Sequence, residues 1–410
     1  MWIGIDDTDS VTGGCTTYLA NAIVKKLTNE GYKIIGHPRL VRLNPNIPWK
    51  TRGNGAVSIE VNNDNSEIIK KKIEELFNRY AKLDDRHTNP GFVILDKQPS
   101  FDIYEKAVKG IVTIKETEKL LESLGAIYKG YKNKRGLIGA TASIAWSTKN
   151  DKTYELIAYR YEYKWGTKRK VDTESVKKMN EIFSSTFDNY DYENNHNRLT
   201  PSSPCPVLFG IRGEKIDDLM KASSVIISER VDSWIIFETN QGTDDHLQRK
   251  KISEIQPYQS VIVQGTVVSN PQTLKGGHVI FTIKDSTGKI DCAAYEPTKQ
   301  FRNFIRELII GDKLEVYGGI RKKPLTINIE KINIKYLKKL EEKVENPICP
   351  KCNKHMKSKG TGQGFKCKKC GIKSNKPFVK KIKRNIDIGF YEVPICARRH
   401  LSKPLKRMKP

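Results

Sequence analysis

The sequence predicts a multidomain protein of α/β and β type, with an α/β unit and an α+β unit followed by an OB-fold barrel and a zinc ribbon. Three observations carry this reading. Strand-like and helix-like hydrophobic patterns alternate up to about residue 250, and five strand patterns between Ser260 and Ile334 hold one helix pattern between the third and fourth. Two Cys-x-x-Cys pairs, Cys349/Cys352 and Cys367/Cys370, then stand fourteen residues apart. A chain of 410 residues suits roughly two to four domains, and 37% hydrophobic content is enough for a core in most of them.

The first element is an apolar strand, Trp2 to Ile5, that runs into Asp6, Asp7 and Asp9 and then Gly13-Gly14. From Thr16 onward Leu19, Ala22, Ile23 and Leu27 share a helical face, so Thr16 or Thr17 stands in the first turn. Clustered carboxylates repel one another unless a hard cation such as magnesium lies between them, and free N–H groups at a helix start attract phosphate. Together they suit a magnesium–nucleotide complex. The plainer reading is a polar turn that only caps the helix.

Extended segments follow at Lys33 to Gly36, Arg39 to Leu43 and Ala56 to Val61, then a helix with Ile69, Ile73, Leu76, Phe77 and Tyr80 on one face. Between them lies the loop from Asn44 to Gly55, whose Lys50, Arg52, Gly53, Asn54 and Gly55 combine cations with a backbone that can approach phosphate closely. A second polar cluster, Leu83 to Gly91, contains Asp84 and Asp85 ahead of the strand Phe92 to Leu95. It serves either a metal or amine site or a simple turn. A helix at Lys115 to Leu124 precedes Arg135-Gly-Leu-Ile-Gly-Ala-Thr-Ala142, a small-residue helix start suited to close packing.

The middle of the chain reads as an α+β sandwich, with strands at Tyr154 to Arg160, Val207 to Gly210 and Trp234 to Phe237 and helices near Ser175 to Phe183 and Lys215 to Ala222. Two of its loops, Thr200 to Gly213 and Thr239 to His246, are rich in donors and acceptors. Cys205, between two prolines and without a His neighbour in sequence, reads as structural.

From Ser253 the texture is all-β, with Val261, Val263 and Val267 on one face and a helix near Thr298 to Ile309. Barrels of this order bind single-stranded nucleic acid, and Lys275 and Arg321-Lys-Lys323 add loop charge. The four cysteines of the ribbon suit a closed structural zinc site. Disulfides are the alternative, disfavoured in a reducing compartment. Net charge is +26, and the segment from Cys349 to Pro410 holds nineteen Lys and Arg against two acids. That density points to a polyanion, and nucleic acid before a membrane surface. Phe378, Phe390 and Tyr391 of the tail are available for stacking on bases. No apolar run approaches bilayer length and Met1 leads straight into a strand, so a cytoplasmic protein is expected. The expected segmentation is 1–130, 131–252 (the first two can interleave), 253–340, 345–375 and a basic tail, 376–410.

Five motifs in order, Ile5-Asp-Asp-Thr-Asp9 with Gly-Gly-Cys-Thr-Thr17, Lys50-Thr-Arg-Gly-Asn-Gly55, Cys205-Pro-Val-Leu-Phe-Gly-Ile-Arg-Gly213 and Thr239-Asn-Gln-Gly-Thr-Asp244, resemble the archaeal isoleucine-tRNA 2-agmatinylcytidine synthetases over the whole chain. The resemblance implies a kinase-like domain, a ferredoxin-like domain, an OB-fold and a zinc ribbon. It also implies ATP-dependent ligation of agmatine to carbon 2 of the wobble cytidine of the isoleucine tRNA with a CAU anticodon. Carried over by motif, the family's catalytic acids fall on Asp6, Asp7 and Asp9, its phosphorylated threonine on Thr16, and its ATP loop on Lys50 to Gly55, beside Gly13 and Gly14. Gly13-Gly14 departs from the family's usual residues before the cysteine, as does Thr200-Pro-Ser-Ser-Pro-Cys205 from its usual loop. Asp84, Asp85, Asp244 and Asp245 are the candidates for the agmatine guanidinium, and the sequence leaves the choice open. Two other readings stand beside this one: a non-enzymatic single-strand-binding protein, and an RNA modifier that uses another amine.

Overall fold

The opening apolar run forms β1 (Trp2–Asp6), and α1 (Thr16–Asn29) begins at the expected threonine. The computed structural model describes residues 1–410 apart from Arg52, Asp64, Pro377, Lys409 and Pro410 and the side chains of 341–344 and 378–381. After α1 come β2 (Lys33–Arg42), β3 (Gly55–Asn62), α2 (Ser66–Tyr80), β4 (Gly91–Leu95), α3 (Asp102–Lys109), α4 (Ile114–Ser123), β5 (Ile127–Gly130) and α5 (Gly136–Ala145). The two extended segments expected around Gly36 are one strand, β2, whose register against β3 shifts between Ile35 and Arg39. The sequence reading missed α3, which has only eight residues, too few for a clear period.

The next stretch contains β6 (Thr153–Tyr159), α6 (Thr173–Ile182), the short hairpin β7 (Tyr190–Asp191) and β8 (His196–Asn197), β9 (Val207–Gly213), α7 (Ile216–Val225) and β10 (Ser233–Thr239). Its long strands join those of the first stretch in one eight-stranded sheet, ordered β5-β4-β1-β3-β2-β10-β6-β9. The seam is a parallel pairing of β10 with β2, where Glu238 faces Arg39 and Thr239 faces Leu40.

Side chains alternate across β1, so its two faces do different work. Ile3 and Ile5 join Leu19, Ile23, Ile69, Ile73 and Phe77 in the core under α1 and α2. Trp2 packs with Leu137, Ala140 and Ile144 of α5 on the other face. There the small-residue helix reaches its expected role: a Cβ on Gly4 would overlap the Ala140 carbonyl oxygen, and one on Gly91 would lie 2.6 Å from the Leu137 nitrogen. Glycine on the strands therefore lets α5 approach the end of β1, from which the aspartates emerge.

The barrel comprises β11 (Leu247–Arg249), β12 (Ser260–Val267), β13 (Gln272–Thr273), β14 (Val279–Lys284), β15 (Lys289–Ala294), α8 (Phe301–Arg306), β16 (Lys313–Arg321) and β17 (Thr326–Tyr336). A helix between the third and fourth long strands is the expected OB order, and Val261, Val263 and Val267 are buried together in its core. Next come β18 (Leu340–Glu345), the ribbon strands β19 (Lys357–Ser358), β20 (Phe365–Lys366) and β21 (Lys373–Ser374), then β22 (Phe378–Ile382), which pairs with β18, and β23 (Gly389–Glu392). No helix among the described residues is long and apolar enough to cross a membrane.

The C-terminal segment corrects one expectation, because much of it is not a free basic tail. Strand β23 pairs with β17, and Tyr391 packs on Phe304 at 4.6 Å and accepts a hydrogen bond from the Asp387 backbone. Phe390 stays exposed, and the Phe378 side chain lies outside the described residues. Several tail cations face acids of the body: Arg384 binds Asp312 at 2.7 Å, Arg399 is 3.3 Å from Glu330, and Lys403 and Arg407 reach Asp151 at 2.8 and 2.7 Å. Composition counts these charges but cannot show that they are internally paired.

Candidate active site

The C-terminal end of β1, the start of α1, the loop before β3, the loop before β9 and the C-terminal segment enclose one cavity of about 730 Å³. Asp6, Asp7, Asp9, Thr16, Lys50, Gly53, Asn54 and Gly55 all line it, so most of the residues singled out by motif meet in space. Arg52 lies outside the described residues. Gly13 and Gly14 do not line the cavity. Both have positive φ, and Ser10 donates to the Gly13 carbonyl at 2.8 Å, so this pair turns the chain into α1.

Asp6 points at α5 and accepts from the Asp7 N–H at 2.7 Å. Enclosure by protein, followed by the Asp7 charge, holds its carboxyl well above the usual range. Asp7 sits at φ 55° and accepts from the Asn89 N–H at 2.9 Å and the Thr51 hydroxyl at 3.3 Å. Burial nevertheless pushes it up to about 6. The N-cap of α1 is Cys15, whose side chain makes no cap bond, and the hydrogen bonds that Asp6 and Asp7 accept from the Asp7 N–H, the Asn89 N–H and the Thr51 hydroxyl lead elsewhere. The helix-capping reading therefore does not describe Asp6 or Asp7. Thr16 is buried at that helix start and accepts from the Thr8 hydroxyl at 3.1 Å.

Among the described residues, the one group of three or more His, Cys, Asp or Glu whose donor atoms converge is the cysteine quartet. The three aspartates are thus not a protein-only cage. Magnesium does not need one, since it is commonly held by one or two carboxylates with phosphate oxygens and water. Two carboxyls raised by burial and by neighbouring charge, in a polar cavity, fit that role.

Across the cavity, Lys50 is at the mouth, its ammonium bonded to the Pro45 carbonyl and pushed down to about 8 by burial and by Arg399. Gly53 and Gly55 lie against the Arg42 guanidinium, where a Cβ would come within 2.8 and 2.9 Å of Nη1. The far wall carries residues that sequence reasoning missed. Glu155 is buried with Arg212 Nε at 3.4 Å and Arg42 Nη2 at 3.9 Å, and Arg212 also donates to His400 Nδ1 at 2.9 Å. These groups come from three strands and the C-terminal segment, so no local spacing could have joined them. Cys205 also lines the cavity, with its thiol 3.5 Å from Arg169.

None of the four agmatine candidates lines this cavity. Asp244 bonds the buried Lys331 ammonium at 2.7 Å, and Asp245 accepts from the Tyr104 hydroxyl at 2.6 Å beside a separate cavity of about 230 Å³. Asp85 accepts from the His87 N–H at 2.8 Å, forming the plain turn weighed for that cluster, with Asp84 next to it. In the ribbon, the sulfurs of Cys349, Cys352, Cys367 and Cys370 all lie within 4.8 Å of one another, a donor set that fits tetrahedral zinc.

Family models match in the same order as the fold: a TiaS TCKD domain over residues 2–133, a TiaS FLD domain over 134–246, an OB-fold nucleic acid binding domain over 259–335 and a TiaS C-terminal zinc ribbon domain over 346–386. The isoleucine-tRNA 2-agmatinylcytidine synthetase TiaS of Methanocaldococcus jannaschii is 46% identical, covering 99% of this chain and 98% of its own. This chain belongs to the TiaS family. The Archaeoglobus fulgidus enzyme of the same name is also 46% identical, over 100% of this chain and 97% of its own. Among solved structures, a complex of TiaS with its isoleucine tRNA and ATP superposes with a TM-score of 0.90 at 45% identity, covering 100% of this chain and 97% of that one. A complex of TiaS with the same tRNA, AMPCPP and agmatine gives 0.88 at 43% identity with the same coverage.

Proposed function

We propose that this protein is an ATP-dependent ligase that joins agmatine to carbon 2 of the wobble cytidine in the isoleucine tRNA with a CAU anticodon. The observation that carries this is the single cavity in which Asp6, Asp7, Asp9, Thr16 and Lys50 meet, in a chain of TiaS family membership end to end. The cytosine carbonyl is a poor electrophile, so its oxygen must first carry phosphate. The agmatine amine then attacks carbon 2 and phosphate leaves with that oxygen. ATP is the phosphoryl donor, and magnesium supplies charge neutralisation on the transferred group.

The chain's own groups do the rest. Asp6, Asp7 and Asp9 are the carboxylates for magnesium, Lys50 and the Gly53-Asn54-Gly55 backbone grip phosphates with Arg52, and Thr16 presents its hydroxyl as a phosphate acceptor. The division of labour is ATP chemistry in 1–130, a ferredoxin-like partner in 131–252 and RNA contact through the barrel of 253–340 and the ribbon of 345–375. His400 brings the C-terminal segment to the cavity. A tRNA substrate agrees with work in the cytoplasm.

The test is incubation of the full chain with the tRNA, magnesium, ATP and agmatine, followed by mass spectrometry of the nucleosides. A cytidine that stays unmodified while the tRNA is bound would leave only a binding protein. Modification by a different amine in a competition mixture would leave an RNA modifier of other specificity.

A further inference from the structure

The cavity wall opposite the aspartates carries more positive charge than the fold uses. Arg42, Arg198 and Arg212 line it together, and Glu155 is the one acid on that wall among the described residues. Arg212 and Arg42 share Glu155, at 3.4 and 3.9 Å, and the Glu155 carboxylate also accepts from the Gln241 amide. His400 adds no compensation, because its Nδ1 accepts from Arg212 and its pKa is held well below the usual range by burial and the three arginines.

Arg198 is different from its neighbours. Its guanidinium has no hydrogen-bond or ion-pair partner among the described residues, although its backbone is tightly placed. The Arg198 N–H donates to the Asn189 carbonyl at 3.0 Å, and the next residue's carbonyl accepts from Gly210 N–H of β9 at 2.9 Å. The two nearest acids are engaged elsewhere: Asp188 is held by Arg398, and Asp191 accepts from the Cys396 N–H at 2.9 Å and the Asn194 N–H at 3.1 Å. The half-buried guanidinium keeps access to the cavity, and it stands close enough to Arg212 for the two charges to repel, so an anionic ligand would be drawn between them. Guanidinium geometry suits phosphate oxygens, which it meets with two parallel N–H bonds.

We propose that Arg198, with Arg212 behind it, forms a phosphate subsite of the cavity, distinct from the Asp6–Asp7–Asp9 end. Its occupant is a phosphate group of the tRNA backbone flanking the cytidine, or a phosphate of ATP. The inference rests on the proposed ligase reading for the identity of the occupant, and on geometry alone for its charge.

Binding measured without catalysis separates the two. Arg198→Gln and Arg198→Lys are compared with the parent full chain for tRNA affinity across a salt series, for ATP affinity by calorimetry, and for Tm. Arg198→Gln is expected to weaken tRNA binding by about tenfold and to lower the slope of log affinity against log salt by about one contact, with Tm equal to or above the parent. Arg198→Lys is expected to restore the slope and part of the affinity. A loss in ATP affinity with tRNA binding intact keeps the subsite and assigns it to the nucleotide. If neither affinity changes, or if Tm falls by several degrees in both variants, Arg198 is a structural side chain and the subsite does not exist. Failure of agmatine ligation by the parent chain would overturn the ligase reading while leaving these binding results to stand.

Discussion

Gly139 and Asp6 are matched: a Cβ built on Gly139 would overlap the Asp6 Oδ2 atom and lie 2.6 Å from the carboxyl carbon. The helix α5 therefore sets the position of a cavity acid through the side chain that it lacks. Gly139→Ala forces the Asp6 carboxylate to rotate or α5 to retreat from β1, and neither leaves the acid where it stands. We expect ligation to fall at least about 100-fold, with a stability loss of roughly 1–3 kcal/mol from overpacking. Steady-state ligation and thermal melts check this, and a Gly139→Ala enzyme with parental rate would show that Asp6 placement is not needed.

Asp7 supplies a pH dependence whose sign can be worked out. Burial pushes its pKa up to about 6 from an ordinary value of 3.8, so the folded state favours the protonated form. The resulting stability is complete below the unfolded value and is lost as pH rises through 6. About two pKa units correspond to roughly 3 kcal/mol at most, and partial exposure reduces this to about 2 kcal/mol. Asp6 acts in the same direction. In EDTA, Tm should therefore drop between pH 5 and pH 7, and magnesium with ATP should largely remove the drop because the ionised carboxylates gain a cation. A Tm in EDTA that is flat over this range, or one unaltered by Asp7→Asn, counts against the assignment.

What could be read in advance divides along physical lines. The start of α1 at Thr16, the order of the barrel strands and the cysteine spacing are local patterns, and each reappears in the structure with few changes. The Asp6, Asp7 and Asp9 cluster was legible because a strand delivers it as one unit. Glu155, Arg198, Arg212 and His400 come from β6, the hairpin exit, β9 and the C-terminal segment, and only the tertiary fold brings them to one wall. Asp244 has the look of a ligand residue, a carboxylate in a donor-rich motif, and only the fold shows that a buried lysine 87 positions away bonds it. The tail misled through charge, since Arg398, Arg399, Lys403 and Arg407 count as polyanion contacts until their acidic partners are seen.

Arg169 holds the loop that forms part of the cavity wall before β9. Pro201, Pro204 and Pro206 lack N–H groups, so this loop cannot satisfy its own carbonyls well. One guanidinium does so instead, donating to the carbonyls of Val207 at 2.7 Å, Pro201 and Ser203 at 2.8 Å, and Cys205 at 2.9 Å. Lysine cannot reproduce that fork. Arg169→Lys should raise KM for tRNA or agmatine several-fold with little change in KM for ATP, because Ser202 and Ser203 would no longer be fixed in the wall while the aspartate end is untouched. Equal increases in all three KM values would mean a general loss of fold.

The last prediction separates the acid from the hydroxyl at the start of α1. Thr16 lines the cavity at a helix start without a side-chain cap, so its hydroxyl and the first-turn N–H groups face the same space as the Asp7 carboxylate. Asp7→Asn keeps the shape, and its amide can still accept from Asn89 N–H, but it lacks the charge needed for magnesium. Ligation and phosphate transfer to Thr16 should both disappear while tRNA affinity stays within about twofold, since RNA binding depends chiefly on cations elsewhere. Thr16→Ala should remove the phosphate label from the protein yet leave magnesium–ATP binding intact, because Thr16 receives the Thr8 hydrogen bond and holds no charge. Radiolabelled ATP, followed by gel analysis of the protein and calorimetry of nucleotide binding, reads both variants. If Asp7→Asn ligates agmatine at the parental rate in saturating magnesium, the carboxylates have no part in catalysis. If label persists on Thr16→Ala, the acceptor is another of the cavity's hydroxyls, with Thr17 and Thr51 both in the lining.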